Sequence, residues 1–187
     1  MKKIILTVFA ATSLLLYSTP SFAFSLSVGV PVGATIKNDA GTEADGARGY
    51  FLGVQLPFGL GLGMDSHKTK IKGTTDLKVA TSMYNIYYQL PVPVVSLILG
   101  LGTGNSNYDC ADALQGTGDS VVGCDAAYDK GAATQWYTSI GMPIIPFFDI
   151  HLSYRSITSK NIEQKSGFGT KSDVSGTITG IGLAFNF

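Results

Sequence analysis

The sequence predicts an all-β protein that folds as an eight-stranded antiparallel up-and-down barrel spanning a membrane. Three observations lead to this fold class. The 187 residues include 23 glycines, 9 tyrosines and 10 phenylalanines, a composition that favours strands and turns. Eight segments alternate apolar residues with small polar ones, which is the periodicity of a β-strand. Short and long connections between the segments alternate, which is typical of membrane barrels.

The charge of the chain is low and balanced. Thirteen basic and 13 acidic side chains give a formal net charge of zero, and charged residues make up 14% of the sequence. A nucleic-acid partner requires a basic face. The composition therefore argues against nucleic-acid binding, and no motif indicates a cofactor.

The first residues have the features of a secretory signal peptide. Lys2 and Lys3 precede an apolar stretch over residues 4–17, and small residues flank Phe22 before a cleavage point after Ala23. The alternative is an uncleaved membrane anchor, but the apolar stretch is shorter than the roughly 20 residues that a helical span requires. We expect a signal peptide over residues 1–23 and a barrel domain over residues 24–187.

Each of the eight segments places its large apolar residues on one face. In the first segment that face carries Ala34 and Ile36, and Pro31 interrupts the strand. Proline cannot donate a ladder hydrogen bond, and a closed barrel has no free edge, so we expect a bulge at Pro31. The apolar faces lie at alternate positions in residues 24–36, 50–58, 60–64, 80–90, 95–101, 136–142, 148–154 and 179–187.

The face opposite the apolar one decides the environment of the barrel. It carries mainly Gly, Ser, Asn, Gln and Thr, which is a poor surface toward water and a good filling for a narrow lumen. We therefore expect the apolar face to contact lipid. A soluble lipocalin-like barrel remains the alternative. Candidates for two interfacial girdles are Tyr50, Phe58, Tyr84, Tyr88, Trp136, Phe148, Tyr154, Phe185 and Phe187.

The connections divide into two classes. Three tight turns contain prolines, near Pro57 and over residues 91–94 and 143–146. Four long connections, predicted over residues 37–48, 68–78, 105–131 and 159–173, hold most of the charges. We expect loops of this kind to carry function on a rigid scaffold.

Five titratable residues of the inward face are expected to form a polar network in the lumen, because buried charges require partners: Asp65, His67, Asp149, His151 and Arg155. Such a network predicts a plugged barrel with little or no conductance. The alternative is a narrow path for a small apolar solute, lined by Phe51, Met83, Tyr87, Ile98 and Tyr137. The glycine clusters at residues 59–63 and 100–104 lack the helix and the Lys-Ser/Thr pair of a phosphate loop, so we interpret them as strand glycines.

The overall pattern resembles the small eight-stranded outer-membrane barrels of the OmpA transmembrane-domain and OmpX type. The signal peptide, the alternation of turns and loops and the terminal Leu183, Phe185 and Phe187 carry this resemblance. It implies periplasmic termini, external loops, and contact with outer-membrane lipid and lipopolysaccharide. It also implies that the terminal residues are an assembly signal read by the barrel-assembly machinery. Full OmpA-type proteins have a further periplasmic domain, and we expect none after this barrel.

Two cysteines lie in the third long connection. Because the protein is expected to reach an oxidising compartment, we predict a disulfide between Cys110 and Cys124. A metal site that uses the cysteines with His67 and His151 is the weaker alternative, since the spacing matches no known ligand motif.

The stretch HLSYRS provides the one candidate for catalysis. His151 and Ser153 share a strand face and could act as base and nucleophile if a carboxylate such as Glu163 oriented the histidine. The pair resembles that of the outer-membrane lipid A deacylases. However, the alternation points both side chains into the lumen, away from lipid. We therefore expect no enzyme, but a structural or surface role in envelope integrity, adhesion or recognition of a host or surface ligand through the loops.

Overall fold

The alternating segments form one closed sheet. The computed structural model describes residues 24–37, 43–73, 77–90, 92, 94–109, 129–145, 147–163 and 171–187. Each strand pairs antiparallel with its neighbours, and the last pairs with the first, so the predicted eight-stranded barrel is confirmed. The strands are β1 (Ser25–Lys37), β2 (Ala44–Gln55), β3 (Leu60–Ile71), β4 (Lys78–Leu90), β5 (Ser96–Asp109), β6 (Gly131–Ile145), β7 (Phe148–Glu163) and β8 (Lys171–Asn186).

The pairing of β8 with β1 closes the ring over the full length of β1 and over residues 175–186 of β8. The register runs from Ser25 opposite Asn186 to Lys37 opposite Ser175. The N–H of Phe187 donates to the carbonyl of Phe24 at 2.8 Å, so the sheet still holds the last residue. A closed ring pairs the backbone groups that an open edge would leave free, and this is the condition for placing a sheet in lipid.

The faces of the strands follow the predicted alternation except at the end of β1. Outward residues such as Leu62 and Leu152 are each 62% exposed, whereas inward residues such as Asp65 and Met83 are 1% and 0% exposed. The large apolar side chains therefore surround the barrel, and small, polar and aromatic ones fill it. Within the described residues no helix is long and apolar enough to cross a membrane.

The predicted bulge at Pro31 is confirmed and has a consequence that the alternation missed. The register of β1 against β8 shifts between Pro31 and Gly33. The shift means that β1 contains one more residue than β8 at this point, so the side chains after the bulge exchange their inward and outward directions. Ile36 therefore lies inside the barrel at 9% exposure, and Ala34 packs beside an internal cluster. The expectation that Ala34 and Ile36 face lipid is therefore wrong.

The strands also extend further toward the long connections than the sequence predicted. β3 continues to Ile71 and β4 begins at Lys78, whereas the sequence predicts a connection over residues 68–78. Inside this extension lies an apolar cluster that closes the loop end of the lumen: Ile36, Ile71, Val79, Ile162 and Val174. Charged outward residues obscured the inward apolar alternation in these segments.

Candidate functional site

A buried ion pair occupies the middle of the lumen. Asp65 of β3 and Arg155 of β7 come from opposite sides of the ring, and the Arg155 Nε donates to Asp65 Oδ2 at 3.0 Å. Gln135 Nε2 donates to the same carboxylate oxygen at 2.6 Å. Because a buried charge is costly without partners, these bonds are what permits both ions to lie inside the barrel. They tie β3, β6 and β7 together across the lumen.

Aromatic rings enclose the arginine. The Arg155 guanidinium carbon lies 3.6 Å from the centroid of the Phe51 ring and 4.9 Å from that of Tyr137. Tyr137 in turn packs edge-on against Tyr87, at 6.3 Å between centroids. A cation between ring faces is attracted by their quadrupoles, and the effect is larger where water is excluded. The rings and the ion pair together fill this cross-section of the barrel.

Glycines on the inward face make room for these rings. A Cβ atom at Gly61 would overlap the ring of Tyr87, and one at Gly100 would overlap the ring of Tyr137. The two pairs are cross-strand neighbours in the register. Gly61 and Gly100, one from each glycine cluster, therefore leave the space that the rings of Tyr87 and Tyr137 occupy. This supports the interpretation of both clusters as strand glycines.

The five residues expected to form one polar network are in fact divided. Asp65 and Arg155 pair, but Asp149 lies nearer the tight turns, where its Oδ2 accepts a hydrogen bond from Ser96 at 3.1 Å. His67 lies toward the loop end, where its ring packs edge-on against Phe51 at 6.3 Å. The lumen thus holds separate polar groups at different depths, and the ring of Phe51 contacts both His67 and Arg155.

His151 and Ser153 do not form the catalytic pair that their spacing suggested. Ser153 Oγ donates to the Gly180 carbonyl at 3.3 Å and accepts a hydrogen bond from Arg155 Nη1. His151 Nδ1 instead lies 3.3 Å from the hydroxyl of Ser139, a residue of β6 that sequence reasoning did not select. The cross-strand register, in which Ser139 faces Ser153, is the information that the sequence lacked.

The geometry around His151 is also incomplete as a triad. Its Nε2 is 4.0 Å from Asp149 Oδ2, which exceeds hydrogen-bond distance. Both His151 and Ser153 face the lumen and are 9% and 8% exposed. The side chain of Glu163, the predicted orienting carboxylate, lies outside what the structure describes. A lipid substrate in the bilayer would have no direct approach to the inward-facing pair.

Two small cavities border these groups within the part of the chain that the structure describes. A cavity of about 60 Å³ lies on the tight-turn side of the ion pair and borders Phe51, Ile98 and Tyr137. A second cavity of about 30 Å³ lies on the loop side of the ion pair and borders His67 and Ser159. Each volume holds only a few water molecules at most. Of the residues proposed to line a solute path, four are buried at 7% exposure or less: Phe51, Met83, Tyr87 and Tyr137.

Two further predicted sites lie outside the described residues. Cys110 and Cys124 belong to the connection between β5 and β6, so their disulfide stays a prediction, and the leader over residues 1–23 does as well. Among the residues that the structure describes, no three His, Cys, Asp or Glu side chains are grouped closely enough to hold a metal ion.

Comparisons with known proteins agree with this architecture. No protein-family model matches the chain, and no curated protein matches it by sequence. Among solved structures, Neisserial surface protein A (NspA) is 14% identical with a TM-score of 0.66, over 89% of this chain and 98% of that one. AlkL, solved in DMPC lipid bilayers, is 8% identical with a TM-score of 0.54, over 88% and 90%.

A third match is the N-terminal β-barrel domain of OprF from Pseudomonas aeruginosa, which is 11% identical with a TM-score of 0.51, over 87% of this chain and 97% of that domain. Identities this low show a shared fold and nothing finer. The fold of the chain is that of the small eight-stranded outer-membrane β-barrels.

Proposed function

We propose that the chain is an integral outer-membrane barrel with a non-enzymatic role, in which a filled and rigid scaffold presents loops for envelope integrity, adhesion or surface recognition. The observation that carries the proposal is the apolar band around the outside of the barrel. Outward residues at mid-height, such as Leu62, Ile140 and Leu152, are 62%, 52% and 62% exposed. A continuous apolar surface of this kind would aggregate in water and is stable in lipid.

Aromatic residues border the band on both sides. Toward the loops, Trp136 and Tyr154 pack against each other with centroids 5.7 Å apart. Toward the tight turns, Phe148 contacts Phe185 at 4.6 Å, and Phe187 lies 6.4 Å from Phe24. Aromatic rings at two levels are typical of the two membrane interfaces. This arrangement supports the proposed membrane span between the girdles.

We further propose an orientation of the barrel in the outer membrane and a route by which it is exported. The tight turns lie on the periplasmic side and the long connections outside the cell, after export through a cleaved signal peptide over residues 1–23. Leu183, Phe185 and Phe187 act during biogenesis as the signal for the barrel-assembly machinery. The backbone hydrogen bond that holds Phe187 against Phe24 supports a role in closing the barrel.

An arginine in the apolar band tests the membrane span. Leu152→Arg is expected to lower the free energy of unfolding in phospholipid vesicles by about 2–4 kcal/mol, because the charge enters hydrocarbon at mid-height. Thr158→Arg is the matched control, since Thr158 is exposed on the outward face of the same strand but beyond Tyr154. We expect it to cost less than about 1 kcal/mol. Urea unfolding of the vesicle-bound proteins measures both; equal, small costs would indicate a water-soluble barrel.

Conductance distinguishes the scaffold from a channel. The wild-type protein in a planar bilayer is expected to show no current steps above those of the bare bilayer, because the ion pair, the rings and the loop-end apolar cluster obstruct the lumen. A water-filled porin inserted under the same conditions serves as the positive control. Reproducible unitary steps from the wild-type protein would replace the scaffold with the narrow-channel hypothesis.

A further inference from the structure

The ladder between β1 and β2 is shorter than the ladders between the other neighbouring strands. It joins residues 25–29 of β1 to residues 51–55 of β2. Beyond these pairs, the described residues 30–37 of β1 and 44–50 of β2 have no register with each other, although the two stretches continue to pair with β8 and with β3. We call these two stretches the unpaired seam.

Irregularities in both strands explain why the ladder ends there. Pro31 has no N–H to donate, and the register of β1 shifts between Pro31 and Gly33. On the other strand the register shifts between Ala44 and Ala47, and Gly46 has a φ of 91°, which a regular strand does not adopt. Because both strands depart from the geometry of a regular ladder, the backbone groups of the unpaired seam require other partners.

The unpaired seam lies mainly at or beyond the loop-side aromatic girdle, a placement that rests on the proposed membrane span. On β2 it ends at Tyr50, a residue of that girdle. On β1, Gly33 pairs with Thr179, which pairs in turn with Tyr154 of the girdle. Headgroups and water, rather than hydrocarbon, lie at this depth. Water can therefore supply the hydrogen bonds that the two strands do not make to each other.

The cavity of about 30 Å³ on the loop side of the ion pair lies beside the unpaired seam. Thr35 and Ile36 of β1 line it, as do His67 and Thr69 of β3, whereas no described residue of the intervening β2 does. The β2 residue that pairs with His67 is Gly49, which has no side chain to separate the cavity from the seam. His67 also borders a groove of about 630 Å³ on the outer wall. The same residue therefore borders both the outside and the cavity.

Two buried polar atoms beside this cavity lack a partner. His67 Nδ1 and Ser159 Oγ have no hydrogen-bond partner among the described residues, and their residues are 3% and 1% exposed. A buried polar atom that stays unpaired costs free energy. The cavity also borders Thr81 and Ser106, whose hydroxyls bond to each other at 2.8 Å and keep lone pairs that can accept. A buried water needs about two to four polar partners, and this lining provides them.

We propose that water enters the loop half of the lumen sideways, through the unpaired seam, and is bound in this cavity by His67 and Ser159. The volume admits about one or two water molecules. The apolar cluster at the loop end blocks an axial route, since Ile36, Val79 and Val174 of that cluster border the cavity. Water is favoured over a metal ion because the described lining residues include one imidazole but no carboxylate or thiolate.

Two serines beside the cavity provide a matched test. Ser106 and Ser159 are each 1% exposed, but among the described residues only Ser106 has a side-chain partner, the hydroxyl of Thr81. If Ser159 is bonded to water, Ser159→Ala and Ser106→Ala each remove a hydrogen bond, and we expect both to lower the urea midpoint in phospholipid vesicles. In a dry cavity Ser159→Ala would remove an unsatisfied hydroxyl. An unchanged or raised midpoint for Ser159→Ala, with a lowered one for Ser106→Ala, would overturn the proposal.

The histidine ring gives a direct readout, because the chain contains only two histidines. Proton-detected solid-state NMR of the ¹⁵N-histidine-labelled protein in deuterated lipid bilayers resolves both rings, and His67→Gln assigns them. We expect magnetisation transfer from water to Nδ1 of His67. Ser159→Val, whose methyl groups occupy the cavity, is expected to lose most of this transfer. Absence of transfer to His67 in the wild-type protein would show that the cavity is dry.

Amide hydrogen exchange tests the side entrance. The amides of residues 44–50 that face β1 are expected to exchange roughly tenfold faster, or more, than the amides of residues 66–70 that face β4, because only the latter lie in a complete ladder. Equal protection of the two sets would overturn the entrance through the seam. Heat-dependent mobility on gels confirms that each variant forms the barrel. A dry cavity or a protected seam leaves the proposed membrane span intact, whereas failure of the Leu152→Arg comparison would remove the span.

Discussion

Asp65→Leu is expected to lower the free energy of unfolding by about 3–5 kcal/mol, because it leaves the buried charge of Arg155 without its carboxylate. Arg155 is 6% exposed and lies between the rings of Phe51 and Tyr137, so water cannot easily replace the lost partner. Arg155→Met is expected to cost a similar amount, since Gln135 is the one remaining side chain among the described residues that donates to Asp65. Urea unfolding in phospholipid vesicles measures both changes.

The double variant Asp65→Leu with Arg155→Met provides the control for this prediction. Removing both charges leaves no unpaired ion, so its stability should exceed that of either single variant. If the double variant is more stable than either single variant, the loss of stability comes from the unpaired charge and not from the volume of either side chain. If the single changes each cost less than about 1 kcal/mol, the lumen is hydrated and the charges are screened by water.

The alternation of the sequence predicts where each of these side chains points, but not what it contacts. Asp65 and Arg155 are recognisable as inward residues because Met64 and Tyr154, which directly precede them, belong to the apolar outward face of their strands. Their pairing depends on how far the strands are staggered when the ring closes, and this offset is a property of the whole barrel. The contact of His151 with Ser139, rather than with Ser153, is missed for the same reason.

A local bulge and charged segments explain why the sequence mispredicts some side-chain directions and strand ends. Pro31 signals a bulge, but the number of residues absorbed by the bulge decides whether Ile36 faces lipid or the lumen. At the loop end, the outward lysines suggest an exposed loop, although Ile71 and Val79 continue the inward face.

Tyr137→Ala is expected to destabilise the barrel by about 3–5 kcal/mol, since it removes a packed ring and leaves a cavity. Tyr137 is 7% exposed and contacts Arg155 and Tyr87 in the filled cross-section. Gly100 lies directly beneath the ring, where a Cβ atom would overlap it. In the wild-type background, Gly100→Val is therefore expected to cost about 1–3 kcal/mol through overpacking.

The effect of Gly100→Val should change sign when the ring is absent. In the Tyr137→Ala background the valine enters the vacated space, and it also suits a strand better than glycine does. We therefore expect the double variant to be more stable than Tyr137→Ala alone, in the same vesicle unfolding measurement. A valine that is destabilising in both backgrounds would mean that Gly100 is required by the backbone of β5. A reversal of sign would show that the glycine is there for the ring, and that the lumen is packed as a protein core rather than left open as a pore.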